Sequence, residues 1–174
     1  ELPGVKRRIY FIAKSFIVGF PQLPRDELGR STSAVLVGDF VLMADATWKY
    51  IDILPDKSQL TSEAQGELPS QTQLNKLVAV HPGVGQDASA AAAYINNTDN
   101  VFIVEDMKGN YRVLGNDKWT TKATVAQDLG QGATGTTSTT INVEATDEVP
   151  APFYVGKLDT EDGEIDCATG DTQP

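Results

Sequence analysis

The chain has 174 residues, 14 basic and 24 acidic, for a formal net charge of −10 at pH 7. That balance excludes tight binding to nucleic acid, whose phosphates attract clustered Lys and Arg. The length suits one ordinary domain able to bury a sizeable core, and 15 Gly with 9 Pro favour many turns over long helices, so the class expected is mainly β.

The acidic excess lies toward the C-terminal end, where Lys157 is the single base after Ala123 against acids running from Asp128 to Asp171. Cys167 is the only cysteine, which rules out an intramolecular disulfide and a cysteine-based metal site within one chain. The stretch closest to a membrane span, Ile9 to Phe20, is broken by Lys14, Ser15 and Gly19 and stopped by Pro21, well short of the length a span needs.

Along the chain, Ile9–Phe20 is rich in aromatic and β-branched residues and reads as a strand that runs into an extended arm at Pro21 and Pro24. Ser33–Met43 and Thr47–Leu54 are two further β-like stretches, placed to pair as a hairpin across Ala44-Asp45-Ala46. From 55 to 73 the composition turns to Asp, Lys, Ser, Gln, Thr, Glu and Gly, which predicts a long solvated loop. Loops of that length are usually functional or disordered. Leu74–Val80 resumes a strand pattern. The alanine run in 87–97 predicts one short helix, with Asp87 placed to cap its start and Asn96-Asn97 to end it.

Val101–Val104 and Tyr111–Leu114 flank Lys108-Gly109-Asn110 and predict a β-hairpin with glycine in the turn. A last hairpin brackets Gly130–Gly135, and in its second strand Ile141, Val143 and Ala145 alternate with Thr140, Asn142 and Glu144, the pattern of a half-buried strand. Pro150 and Pro152 break it, Phe153–Val155 forms a short strand, and the acidic segment from Asp159 to Pro174 lacks core-forming residues. The organisation expected is therefore a β-rich domain over 1–158 and an acidic tail over 159–174, mobile unless a partner chain holds it.

Little in the sequence points to catalysis. His81 is the only histidine, so any Ser-His-Asp or Cys-His constellation would have to centre on it, and its setting before Pro82 reads as a strand end near a turn. Cys167 sits among acids, which disfavour a reactive thiolate. Asp159–Asp166 clusters carboxylates around Gly163 but lacks the ligand spacing of a calcium-binding EF-hand loop. Gly130–Gly135 shares only its glycine count with a dinucleotide fingerprint and has no helix after it. Lys6-Arg7-Arg8 is a basic triplet that could face acidic neighbours in an assembly. No catalytic, cofactor-binding or metal-binding residues are assigned, and the chain is expected not to be an enzyme.

The sequence Phe102–Gly115, the Gly/Thr-rich Ala133–Ala145 and Ala151-Pro-Phe-Tyr-Val155, taken with the order of elements around them, resemble phage tail-tube proteins. The resemblance implies a β-sandwich or partial barrel with one flanking helix, six copies in a ring, and rings stacked with one another and with other tail proteins into a virion tube assembled in the host cytoplasm. DNA would pass through that tube without tight binding. It also implies that acids line the lumen, with Asp39, Asp45, Asp52, Glu105, Asp128 and Glu144 as the pool, while the acids of 159–171 lie outside or at a joint between rings. The alternative is a β-sandwich binding or decoration module of a virion or cell surface, for carbohydrate or protein, in which Trp48, Trp119, Tyr50 or Tyr111 would form an exposed aromatic platform.

Overall fold

The computed structural model describes residues 1–173. Its first strands are β1 (Val5–Ala13), β2 (Ile17–Gly19), β3 (Val41–Leu42), β4 (Lys49–Asp52), β5 (Gln59–Gln65) and β6 (Thr72–Pro82), followed by the single α-helix α1 (Gln86–Asn96). Then come β7 (Asn100–Asp106), β8 (Tyr111–Leu114), β9 (Lys122–Asp128), β10 (Ser138–Asp147), β11 (Phe153–Tyr154), β12 (Lys157–Thr160), β13 (Gly163–Asp166) and β14 (Thr172–Gln173). Over the described residues the protein is mainly β, as the composition led us to expect, and sandwich-like with one helix on its flank and no closed barrel.

Two antiparallel sheets dominate, one in the order β5-β6-β10-β9 and the other β11-β8-β7-β1-β4. Leu77, Ala79, Ile141, Val143 and Ala145 from the first pack against Ile9, Phe11, Ile51, Phe102, Val104 and Leu114 from the second, with Ile95 of α1 closing the flank. The opposite face of the five-stranded sheet offers Tyr10, Ile12, Val101, Ile103 and Val113 to Leu36, Phe40, Trp48, Tyr154, Leu158 and Ile165. The five-stranded sheet is thus a middle layer covered on both sides. This is why β1 ends in five consecutive buried residues and β7 begins with five: a strand with no solvent face needs no polar alternation. β10, covered on one face only, alternates as the sequence indicated, with Ile141, Val143 and Ala145 buried and Asn142 and Glu144 exposed.

The hairpin expected around Lys108-Gly109-Asn110 is present, with Phe102 opposite Leu114 and Glu105 opposite Tyr111. Gly109 there has φ 91°, a left-handed conformation that favours glycine. The hairpin around Gly130–Gly135 also forms, as β9 and β10.

Several expectations are corrected. Ser33–Met43 and Thr47–Leu54 do not pair with each other: β3 pairs with β2, and β4 pairs with β1. The stretch 55–73 is not a loop. It holds a 3-10 turn at Pro55–Lys57 and then β5, in register with β6 from Gln59↔Val78 to Gln65↔Thr72. Its polar composition misleads because β5 is an edge strand whose side chains are mostly exposed, so it needs almost no apolar residues. Residues 55–58 and the turn at 66–71 stay outside the ladder.

The acidic segment 159–174 is not a free tail over its described residues, and the boundary drawn at 158/159 falls inside β12. Leu158, Ile165 and Cys167 are buried, and all three pack into the core on the opposite face of the five-stranded sheet. The Trp48 amide donates to the Asp159 carbonyl at 2.8 Å. Nor does Asp87 cap α1: Gly85 occupies the cap position, with no side-chain cap bond, and Asp87 falls in the first turn, where its charge still suits the helix dipole. The other end is tied by side chains, as Asn97, Thr98 and Asn100 donate to the carbonyls of Ala93, Tyr94 and Ile95.

Candidate functional site

The β5-β6-β10-β9 sheet presents a regular four-stranded outer face. Registers place Thr61, Lys76, Glu144 and Lys122 in one row across the four strands, and Gln59, Val78, Asn142 and Thr124 in the next. Lys76 reaches Glu63 at 3.2 Å and has Glu144 directly opposite on β10. Opposite charges facing each other across strands stabilise such a row. The acids of this face are Glu63, Asp128 and Glu144 and its bases Lys76 and Lys122; most of the rest are Thr, Ser, Gln and Asn, with Leu74, Val78 and Val80 as an apolar stripe along β6. The face is therefore polar and nearly neutral.

Its two edges differ. On β9 the Val125 amide donates to Asn96 Oδ1 of α1 at 2.9 Å, and Ser89 of the helix bonds Gln127, so the helix covers that edge. β5 pairs with β6 alone among the described residues. Seven residues of unpaired backbone edge are thus available to another chain.

The residues singled out from sequence are scattered. His81 lies at the end of β6 with Nδ1 2.6 Å from the Asp52 carbonyl; since a carbonyl only accepts, Nδ1 carries the proton, and the ring stitches one main sheet to the other. Asp52 and Asp87 line the same shallow depression of about 220 Å³. Arg8 Nε holds the Asp52 carboxylate at 2.7 Å, however, and the depression is lined by no serine, threonine or cysteine. Cys167 is buried, and burial, followed by the nearby carboxylates of Asp166, Glu105 and Asp39, pushes its thiol up and away from the thiolate. Asp159–Asp166 forms the β12–β13 turn, closed by a bond from Thr160 Oγ1 to the Gly163 carbonyl at 2.6 Å. Among the described residues no three His, Cys, Asp or Glu side chains are grouped to hold a metal.

The aromatic platform is corrected as well. Trp48 is 0% and Tyr111 4% exposed, with Trp48 packed edge-on to Phe40 at 5.2 Å between ring centroids. Tyr50 is half-buried beneath Arg8, which leaves Trp119 as the one exposed ring of the four.

One polar cluster carries no sequence signal. The Glu148 carboxylate accepts from Arg25 at 2.8 Å, Lys118 at 2.7 Å and Ser31 at 2.6 Å, fastening the long 20–40 segment to the end of β10. The Arg25 contact first, then Lys118 and Ser31, pulls its pKa down to about 2.

No family model matches the chain, no curated protein matches its sequence, and no solved structure matches it. Among the described residues no helix is long and apolar enough to cross a membrane.

Proposed function

We propose that the protein is a non-enzymatic structural subunit that self-assembles into stacked rings, six copies to a ring, as the tail tube of a phage or prophage, and that the outer face of the β5-β6-β10-β9 sheet lines its channel. The observation that carries this reading is that face: polar, nearly neutral, regular over four strands, and ending in the unpaired β5 edge where a neighbouring copy can continue the sheet. A conduit for DNA must avoid ion pairs with phosphate, and a lining of Thr, Ser, Gln and Asn with balanced charge meets that need. Of the acids proposed for the lumen, Asp128 and Glu144 lie on this face. Asp52 and Glu105 are engaged by Arg8 and Lys6, and Asp39 and Asp45 lie on the segments flanking β3. Other tail proteins would cap the stack, and the virion tail is its location.

The decoration or binding-module reading loses its main support with Trp48 and Tyr111 buried. Negative-stain microscopy of the purified protein tests the proposal: rings or hollow tubes are expected, and particles that stay monomeric at every concentration reject it.

A further inference from the structure

The ladder between β1 and β7 is interrupted. Val5 faces Asp106 and Ile9 faces Val104, so four residue steps on β1 span two on β7 and Lys6-Arg7-Arg8 bulges away from β7, while Arg8 stays opposite Asp52 on β4. Bulges re-aim side chains and free backbone from pairing. Under this bulge lies a groove of about 840 Å³, walled by Tyr10, Ile53, Leu54, Pro55 and Met107 and rimmed by the basic triplet. Lys6 is neutralised by Glu105 at 2.7 Å and Arg8 by Asp52 at 2.7 Å. Arg7 is exposed and makes no side-chain hydrogen bond or ion pair among the described residues. The groove therefore suits an apolar side chain beside a carboxylate.

Such a pair stands at the far end of the β5–β6 hairpin. There the Ser70 amide donates to the Glu67 carbonyl at 2.7 Å, a turn that thrusts Leu68 outward at 85% exposure, beyond any other large apolar side chain described. Glu67 beside it makes no ion pair among the described residues. The hairpin's foot is at the groove, since Pro55 and Pro82 both line it. Its seven paired residues, at about 3.3 Å each, hold the tip roughly 20 Å away. The tip cannot reach its own groove.

We propose that the groove under the β1 bulge receives the β5–β6 tip of a second copy, with Leu68 entering between Ile53, Leu54 and Met107 and Glu67 meeting Arg7. Donor and acceptor are different surfaces at opposite ends of one hairpin, so the contact is heterologous and propagates copies head to tail. It rests on the assembly reading above and names the contact along the axis of the stack.

Cysteine pairing tests it, because Cys167 is only 4% exposed and stays silent. Under mild oxidation the Leu68→Cys, Met107→Cys double variant is expected to give a ladder of dimers, trimers and longer species, and each single variant no ladder. Arg7→Glu is expected to weaken self-association by about tenfold or more, and Glu67→Arg in the same chain to restore it. All these positions except Met107 are exposed, so loss of folding does not confound the charge swap. An oligomer that gives no ladder, or self-association indifferent to Arg7→Glu, overturns the contact, as does a protein monomeric throughout. Microscopy of Leu68→Asp separates the two readings: intact but unstacked rings support both, whereas rings that stack normally overturn this contact and leave the ring standing. A ladder without any rings keeps the contact and rejects the tube.

Discussion

The Tyr154 hydroxyl accepts the Phe40 amide at 3.1 Å and donates to the Lys157 carbonyl at 2.7 Å, locking the 36–40 segment and β12 to the same ring. Tyr154→Phe leaves a buried amide without a partner and is expected to cost about 1–3 kcal/mol in urea unfolding. Gly156 lies so near this ring that an added Cβ would come within 2.7 Å of the hydroxyl, so Gly156→Ala is expected to destabilise by a similar route. Glu148 contributes to the acid response. Its pKa is lowered in the folded state, so its stabilisation is complete above the ordinary carboxylate pKa of about 4.5 and fades as the pH falls toward about 2. The urea midpoint should fall over that window, and Glu148→Gln should flatten the fall. His81→Gln, whose amide can still donate to Asp52, should change stability by less than about 1 kcal/mol. Such residues were hidden in the sequence because their partners are remote: Arg25 and Glu148 are 123 positions apart, and neither sits in a local pattern.

At the scale of elements, legibility followed solvent exposure. β10 could be read from its alternation because one face is wet, and α1 from its alanines. β5 could not, since an edge strand with an open outer side carries Gln, Thr, Ser and Glu like a loop. The C-terminal sheet was missed because its anchors, Leu158, Ile165 and Cys167, are few and sit among acids. Truncation after Gly156 removes these buried side chains, each worth about 1.5–3 kcal/mol, and is expected to lower the melting temperature markedly in circular dichroism. Replacing 66–71 with a two-residue Asn-Gly turn keeps the β5–β6 ladder and should leave the fold intact while abolishing head-to-tail association. If that variant unfolds, the hairpin tip has a role in its own domain.

For the whole molecule, the layering explains how the protein can be strongly acidic and still present a neutral surface for assembly. The middle sheet takes apolar residues of both cores, the C-terminal segment takes many of the acids to the opposite side, and the outer face of the other sheet is left mostly with Thr, Gln, Asn and nearly balanced charges around a short apolar stripe on β6. Asp128→Lys with Glu144→Lys turns that face basic, and salt-dependent DNA retention by the assembled protein is the expected result. Composition reported the total charge and the mainly β class, but not this layering. The resemblance to tail-tube proteins supplied the function proposed, and the exposed sheet face supplies its physical rationale. Electron microscopy of the assembled protein, at a resolution that resolves strands, tests the central claim most directly. Hollow rings with the β5-β6-β10-β9 face turned to the channel and β5 paired to the neighbouring subunit are predicted; solid or absent assemblies, or a channel lined by another face, would contradict it.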